Sequence, residues 1–224
     1  MAIKPILFNT EMVQAILEGR KSCTRRIVKP QPQGKLCYRL AGSDYGTWGY
    51  PSKTAREMNM NNFCLPEDIT DEELSRRWNP PYHADDILYV RETWKKAPNG
   101  YYYYEDWRRD DIADITKWKP SIHMPKEAAR IWLKVTNVRM ERLQEITGLS
   151  VQKEGIELDP KECASKFDFI TELFLLFQKL WDSTIKKSDL DRYGWDTNPY
   201  VWVIEFERCE KPKEEKGNDS GDSK

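Results

Sequence analysis

Apolar residues recur at helical spacing in two segments of the chain. In the first segment, Met12, Val13, Ile16 and Leu17 fall on one face of a helix over residues 11–18. The second segment predicts a longer amphipathic helix from apolar residues three or four positions apart: Phe167, Ile170, Phe174, Phe177 and Trp181. Each stripe can pack one side of its helix against a core.

Other segments alternate apolar and polar residues, which is the pattern of a half-buried strand. This alternation predicts a final strand over residues 200–207. Over residues 131–143 it predicts one long, bent strand or two short ones, because the phase breaks near Asn137. Residues 3–8, 87–94 and 101–105 are rich in β-branched and aromatic residues, so we expect strands there as well. The chain is therefore predicted to contain more strands than helices.

Capping residues mark the ends of two predicted helices. Thr10 is the expected N-cap of the first helix, and Gly19 is suited to the left-handed conformation that ends it. Thr147 is the expected N-cap of a short helix whose last residue is Glu154, with Gly155 closing it. The segment after Gly19 therefore starts at the end of a packed helix.

The chain is expected to form one domain over residues 1–209. Its 224 residues suffice for one well-cored domain. Residues of about 30–81 are rich in proline and poor in periodic apolar positions, so we expect a long irregular insertion there, with one helix near 67–78. Residues 210–224 are charged and contain no aromatic or branched apolar residue, which predicts a disordered tail.

Basic residues are concentrated in one place although the chain as a whole is nearly neutral. It has 36 basic and 37 acidic residues, a balance that excludes a protein that coats nucleic acid by bulk charge. Between Arg20 and Lys29, however, five residues are basic and none is acidic. This segment is a candidate site for an anionic or nucleotide-like ligand.

The composition also predicts what the protein lacks. No run of 18 apolar residues exists, so we expect no membrane partner and a cytoplasmic location. The five cysteines are odd in number and widely spaced, and the chain has only two histidines. That supply of ligands predicts neither a disulfide framework nor a bound metal, and nothing in the sequence calls for a cofactor.

Several motifs resemble those of one family. The motifs are Lys-Pro-Ile-Leu-Phe at 4–8, Gly-Arg-Lys-Ser-Cys-Thr-Arg-Arg at 19–26, the strand ending Val-Arg-Glu-Thr-Trp at 90–94, residues 118–125, and residues 198–208. Together they resemble the ASCH family of the PUA-like superfamily, and most closely its members from bacteriophages and prophages. Where the family usually has Gly-Asp, this chain has Asp85-Asp86, and Asp tolerates a left-handed turn.

The resemblance implies an α+β fold, a PUA-like and mostly antiparallel β-barrel with rim helices and a long irregular insertion. It also implies a site. A bacterial member of the family is an N4-acetylcytidine amidohydrolase, and its proposed catalytic Lys, Thr and Glu match Lys21, Thr24 and Glu154 here. In amide hydrolysis, Thr24 would be the nucleophile, an unprotonated Lys21 the base, and Glu154 the acid for the departing amine.

Three functions fit the sequence. The first is an amidohydrolase acting on N4-acylated cytidine, with a nucleoside or single-stranded RNA as its partner. The second is a non-catalytic reader of RNA or modified bases, and the third is a phage accessory protein whose insertion docks another protein. The predicted ligand-binding residues are the cations and hydroxyl of the basic segment and two aromatic residues for base stacking: Arg20, Ser22, Arg25, Arg26, Trp94 and Trp118.

The same residues also have a purely structural interpretation. Cations just after a helix C-terminus complement the helix dipole, and Glu154 can serve as the partner of an ion pair. The two interpretations differ in whether Lys21, Thr24 and Glu154 meet in one pocket.

Overall fold

A computed structural model describes residues 1–29, 31, 80–107, 117–159, 161 and 165–212, together with the backbone of 37–38 and 48–49. The strands are β1 (Ile3–Leu7), β2 (Cys23–Ile27), β3 (Cys37–Tyr38), β4 (Trp48–Gly49), β5 (Ile87–Arg91), β6 (Trp94–Ala97), β7 (Gly100–Tyr103), β8 (Trp132–Arg142) and β9 (Tyr200–Cys209). The α-helices are α1 (Thr10–Leu17), α2 (Tyr104–Trp107), α3 (Gly148–Lys153), α4 (Lys166–Thr184) and α5 (Leu190–Tyr193).

Five strands form one mixed sheet in the order β1-β5-β8-β9-β2. The β1/β5 pair is parallel and the other three pairs are antiparallel, which agrees with the predicted α+β fold of mostly antiparallel strands. Within the described residues this sheet is open, so the predicted closed barrel is not formed there. The two edges are instead joined by a side chain, because Arg26 of β2 donates a 2.7 Å hydrogen bond to the carbonyl of Leu7 in β1.

A β-bulge divides β8 into two halves. The register against β9 shifts between Val135 and Asn137, so Thr136 is an extra residue on β8. Apolar residues on both sides of the bulge, Val135 and Val138, consequently face the same core. The predicted break in phase near Asn137 is confirmed.

Apolar side chains pack in three clusters. The first core lies between α1 and the sheet and includes Val13, Ile16, Leu88, Leu133 and Ile204. The second core lies under α3 and α4 and includes Cys23, Val151, Phe177, Trp181 and Val203. The third core packs around the β6/β7 hairpin and includes Trp94, Met124, Ala128 and Trp132.

The helix ends follow the predicted chemistry with two corrections. The N-cap of α1 is Asn9 and not Thr10, because the Oδ1 of Asn9 accepts a 2.9 Å hydrogen bond from the amide of Met12. The predicted left-handed Gly19 is confirmed by its φ of +76°. Thr147 caps α3 as predicted, but α3 ends at Lys153, so Glu154 is its C-cap residue and not its last residue.

The predicted strand over 87–94 is two strands. β5 ends at Arg91, and β6 begins at Trp94 and pairs with β7. The turn before β5 contains Asp85 in the left-handed region at φ +66°, as expected for the Asp-Asp variant. The predicted helix at 67–78, nearly all of the insertion and most of the charged tail lie outside the described residues.

Asp86 fixes the N-terminal strand to β5. Its carboxylate accepts hydrogen bonds from Lys4 Nζ at 2.8 Å, from the amide of Ala2 at 2.9 Å and from the amide of His83 at 3.1 Å. Burial raises the pKa of Asp86, but these hydrogen bonds outweigh burial, so the pKa is lowered overall. Among the described residues, no helix has the length and apolar character needed to cross a bilayer.

Candidate active site

The basic segment begins where the chain leaves α1 and approaches α3. The amides of Arg20 and Lys21 both donate to the carbonyl of Ala15, at 2.8 and 2.9 Å, which turns the chain sharply. Lys21 then forms an isolated antiparallel bridge with Glu154. The backbone therefore places these two residues side by side, although they are far apart in sequence.

Gly155 lets the end of α3 approach this turn closely. Its φ is +91°, and a Cβ at this position would lie only 2.7 Å from the Cβ of Ala15 and 3.1 Å from the Cβ of Lys21. Any larger residue would push α3 away from α1. The glycine that ends α3 therefore also sets the spacing of Lys21 and Glu154.

The ammonium group of Lys21 is buried and fully engaged. Nζ donates to Glu154 Oε2 at 2.7 Å and to the Glu154 carbonyl at 2.9 Å, and it lies 5.6 Å from the centroid of the Phe8 ring. The side chain is 0% exposed. Lys21 and Glu154 thus meet directly, as the sequence-based hypothesis requires.

Arg25 holds the other oxygen of Glu154. Its Nη1 donates to Glu154 Oε1 at 3.0 Å, while Nη2 and Nε donate to Glu141 Oε1 at 2.6 and 3.0 Å. Burial lowers the pKa of Arg25, but the two carboxylates outweigh burial and raise it overall. We call Lys21, Arg25, Glu141 and Glu154 the ion-pair cluster.

The ion-pair cluster continues across the sheet. Glu141 also contacts Arg139 at 3.4 Å, and Arg139 donates to Glu205 at 2.9 Å. Every cation along this line therefore touches at least one carboxylate. A buried charge is tolerated in a protein when it is paired and hydrogen-bonded in this way.

Thr24 lies beside the ion-pair cluster on a small cavity. The cavity has a volume of about 30 Å³, room for one or two water molecules. Its lining also comprises residues from α1, β2 and α4 with the end of α3: Met12, Arg25, Arg26, Glu154, Phe177, Leu180, Trp181 and Thr184. Within the described part of the chain, the Thr24 hydroxyl makes no hydrogen bond.

Arg26 lines the same cavity with fewer partners. It donates to the Leu7 carbonyl, and its guanidinium carbon lies 5.4 Å from the centroid of the Phe8 ring. Burial lowers the pKa of Arg26, and the nearby Tyr82 and Glu154 offset this only in part.

Cys23 is next to the site but unsuited to nucleophilic chemistry. Burial and the nearby Glu154 raise the pKa of its thiol to about 12, so the reactive thiolate is rare at neutral pH. Among the described residues, no cluster of three His, Cys, Asp or Glu side chains is arranged to hold a metal ion.

Of the remaining predicted residues of the basic segment, Arg20 lines an open groove and Ser22 does not. Arg20 donates to Glu18 and to the Gly155 carbonyl, and it lines a groove of about 520 Å³ together with Arg139 and Lys153. Ser22 contributes through its backbone, because its amide donates to the Lys153 carbonyl and its own carbonyl accepts from Phe206.

The two aromatic residues predicted to stack bases belong elsewhere in the fold. Trp94 is 5% exposed in the third core, with the Tyr101 ring and the Lys119 ammonium against it, so burial argues against a stacking role. Trp118 packs edge-to-face with Tyr104 at 5.5 Å. Neither residue lines the cavity or the groove.

A second buried carboxylate lies next to the third core. Glu92 is 3% exposed and forms a two-pronged ion pair with Arg130 at 2.9 Å, and Arg130 also contacts Asp106 at 2.8 Å. Burial raises the pKa of Glu92 and Arg130 works against that rise. The buried carboxylate of Glu92 is thus paired with Arg130.

The sequence did not reveal Glu141, Arg139 and Glu205 as partners in the site. Alternation beyond the break near Asn137 was the only available signal, since it puts Arg139 and Glu141 on one face of β8.

The comparisons with known proteins add little to this description. No family model matches the sequence, and no curated protein matches it. Among solved structures, the chain is similar to the crystal structure of an ASCH domain from Lactobacillus crispatus JV V101. The TM-score is 0.35 and the identity 8%, over 92% of this chain and 79% of that one. A TM-score of this size does not establish a shared fold, so the site is interpreted from its own contacts.

Proposed function

We propose that the protein is an amidohydrolase that acts on N4-acylated cytidine, with Lys21, Thr24 and Glu154 as its catalytic residues. One observation carries the proposal: Lys21 Nζ lies 2.7 Å from Glu154 Oε2, and Thr24 and Glu154 line the same cavity. These three residues were singled out by the motifs of the ASCH family. The contact of Lys21 with Glu154, and the cavity that Glu154 shares with Thr24, support that resemblance, although Lys21 itself does not line the cavity.

The roles of the three residues follow from proton balance. The Thr24 oxygen attacks the acyl carbon and gives its proton to the amine of Lys21, while the C–N bond breaks and the departing amine takes a proton from Glu154. Water then attacks the acyl group on Thr24 and gives a proton to Glu154. Lys21 returns its proton to Thr24 as the acid leaves, so substrate and water become amine and carboxylic acid.

These reaction steps start from a neutral amine on Lys21 and a protonated Glu154. The 2.7 Å hydrogen bond between them is the path along which one proton passes to produce that state. Arg25 on the other oxygen of Glu154 opposes the transfer, because it stabilises the carboxylate. A substrate that displaces Arg25 from Glu154 would favour the transfer.

Access to Thr24 requires a movement of α4. A cavity of about 30 Å³ holds water but not a cytosine ring. Phe177 and Trp181 of α4 form one wall of the cavity. Displacement of α4 away from β2 would open Thr24 to an acylated base.

A hydrolysis assay tests this proposal. Wild-type protein is incubated with N4-acetylcytidine, and release of cytidine is followed by mass spectrometry. We expect Thr24→Val to lower kcat/KM at least about 100-fold, the scale typical of losing one catalytic group. Thr197→Val is the matched control, because Thr197 donates to the Gly194 carbonyl outside the cavity. Turnover by Thr24→Val equal to that of the wild type, or none by either protein, contradicts the proposal.

A second candidate function is a non-catalytic reader of single-stranded RNA. The groove of about 520 Å³ favours it, since Arg20, Arg139 and the exposed Lys153 line it together with the hydroxyls of Thr147 and Ser150. These groups are suited to phosphate oxygens. The same groove would also receive the flanking nucleotides if the acylated cytidine lies within RNA.

The salt dependence of RNA binding tests the second function. If the three groove cations neutralise three phosphates, the logarithm of the association constant should fall with the logarithm of salt at a slope of about −2. Lys153→Gln should make the slope shallower by about 0.7, whereas Lys187→Gln, an exposed cation outside the groove, should leave it unchanged. A slope near zero in the wild type would rule out phosphate contacts at the groove.

A further inference from the structure

Arg26 differs from the other cations around the site in having no carboxylate partner. Lys21, Arg25, Arg139 and Arg20 each contact a carboxylate at 3.4 Å or less. Arg26 contacts none among the described residues, and its one hydrogen-bond acceptor is the neutral carbonyl of Leu7. A half-buried guanidinium that forms no ion pair is unfavourable, and an anion bound beside it would relieve that cost.

The guanidinium of Arg26 is held in a fixed orientation. Nη2 is anchored on the Leu7 carbonyl at 2.7 Å, and the group lies 5.4 Å from the centroid of the Phe8 ring. An arginine has five N–H donors, so this single hydrogen bond leaves most of the guanidinium donors available. The free donors match the two oxygens of a carboxylate.

Thr24 adds a second free donor to the same cavity. Thr24 and Arg26 are two positions apart on β2, so strand alternation puts both side chains on one face. Both line the cavity of about 30 Å³, and the hydroxyl of Thr24 makes no hydrogen bond within the described residues. The cavity therefore presents an oriented cation and a hydroxyl donor on the same lining.

We propose that this cavity binds a small monocarboxylate, such as formate or acetate, between the Arg26 guanidinium and the Thr24 hydroxyl. The size of the cavity limits the ligand to an anion of a few atoms. Glu154 on its wall repels a second negative charge, which disfavours phosphate. The further identification of this anion as the acid released from the substrate rests on the proposed hydrolysis, whereas the binding site itself requires no turnover.

Binding of isotope-labelled acetate tests the inference without any reaction. We expect ¹³C-acetate to show line broadening on addition of the wild-type protein, and sodium acetate to raise the melting temperature relative to sodium chloride of equal ionic strength. Affinity should fall at least about tenfold in Arg26→Gln, the cost of roughly one charge-assisted hydrogen bond. Arg192→Gln, an exposed arginine that lies against Tyr193, should bind as the wild type does.

Several outcomes would overturn the inference. Acetate binding that is unchanged in Arg26→Gln, absent in the wild type, or matched by the much larger benzoate would each do so. If Arg26→Gln does not fold, Thr24→Val removes the second donor and should still weaken acetate binding several-fold. Acetate binding without hydrolysis of N4-acetylcytidine would refute the proposed reaction alone, and hydrolysis without acetate binding would refute this inference alone.

Discussion

Glu154→Ala is expected to lower the free energy of unfolding by about 3–5 kcal/mol, the range for breaking one side of a buried ion pair. The substitution leaves the ammonium of Lys21, whose side chain is 0% exposed, without a carboxylate. It also removes one of the two carboxylate partners of Arg25. Urea unfolding followed by tryptophan fluorescence measures the loss.

Two further variants test whether the lower stability comes from breaking a buried ion pair or would follow from removing a carboxylate elsewhere. Glu157→Ala removes a 73% exposed partner of Arg20, and an exposed pair is worth only about 0–1 kcal/mol. The double variant Lys21→Met with Glu154→Leu removes the charge together with its partner, so it should recover much of the stability. Arg25 keeps Glu141 in that variant. If Glu154→Ala lowers the free energy of unfolding no more than Glu157→Ala does, the buried ion pair is not a source of stability.

Arg130→Met should destabilise the protein by about 3–5 kcal/mol at pH 8 and by much less at pH 4. The substitution removes both hydrogen bonds to the Glu92 carboxylate, which is 3% exposed. Burial already raises the pKa of Glu92 against the effect of Arg130, so the pKa should rise further without Arg130.

The direction of the pH dependence follows from proton binding. A carboxyl group with a raised pKa binds its proton more tightly in the folded state than in the unfolded state. Stability therefore falls as the pH rises from the unfolded pKa, about 4.3, through the folded pKa. Arg130→Met should extend that fall to higher pH, and adding Glu92→Gln should abolish it. If Arg130→Met lowers the stability equally at pH 4 and pH 8, Glu92 is not the group responsible for the pH dependence.

The sequence predicted the local features of the site well, because they depend on neighbouring residues. The cap at Thr147, the left-handed Gly19 and the end of α3 next to Glu154 all follow from short-range chemistry. The pairing of Lys21 with Glu154 came from the family motif, since no periodicity relates residues that far apart. The structure then supplied a reason for the pairing in the Ala15 turn and in the close packing of Gly155.

Long-range features were harder to predict. Glu141 reaches Arg25 from β8, a strand that pairs with β9 and not with β2, so no local pattern links the two residues. Trp94 follows polar residues and was predicted to be accessible, but the β6/β7 hairpin folds back and buries it. Closure of the sheet into a barrel would require its edge strands β1 and β2 to pair, and no local pattern predicts whether they do. Here only the side chain of Arg26 joins the two edges among the described residues.

The extra residue at Thr136 determines which positions along β8 carry the charges of the site. Before the bulge, odd-numbered residues such as Leu133 and Val135 enter the first core; after it, the even-numbered Val138 and Met140 do so. Arg139 and Glu141 thereby lie on the opposite face of β8, where Glu141 contacts both Arg25 and Arg139. Deletion of one residue here would reverse that parity and direct both charges into the apolar interior. The ion-pair cluster is thus specified by a count of residues as much as by their identity.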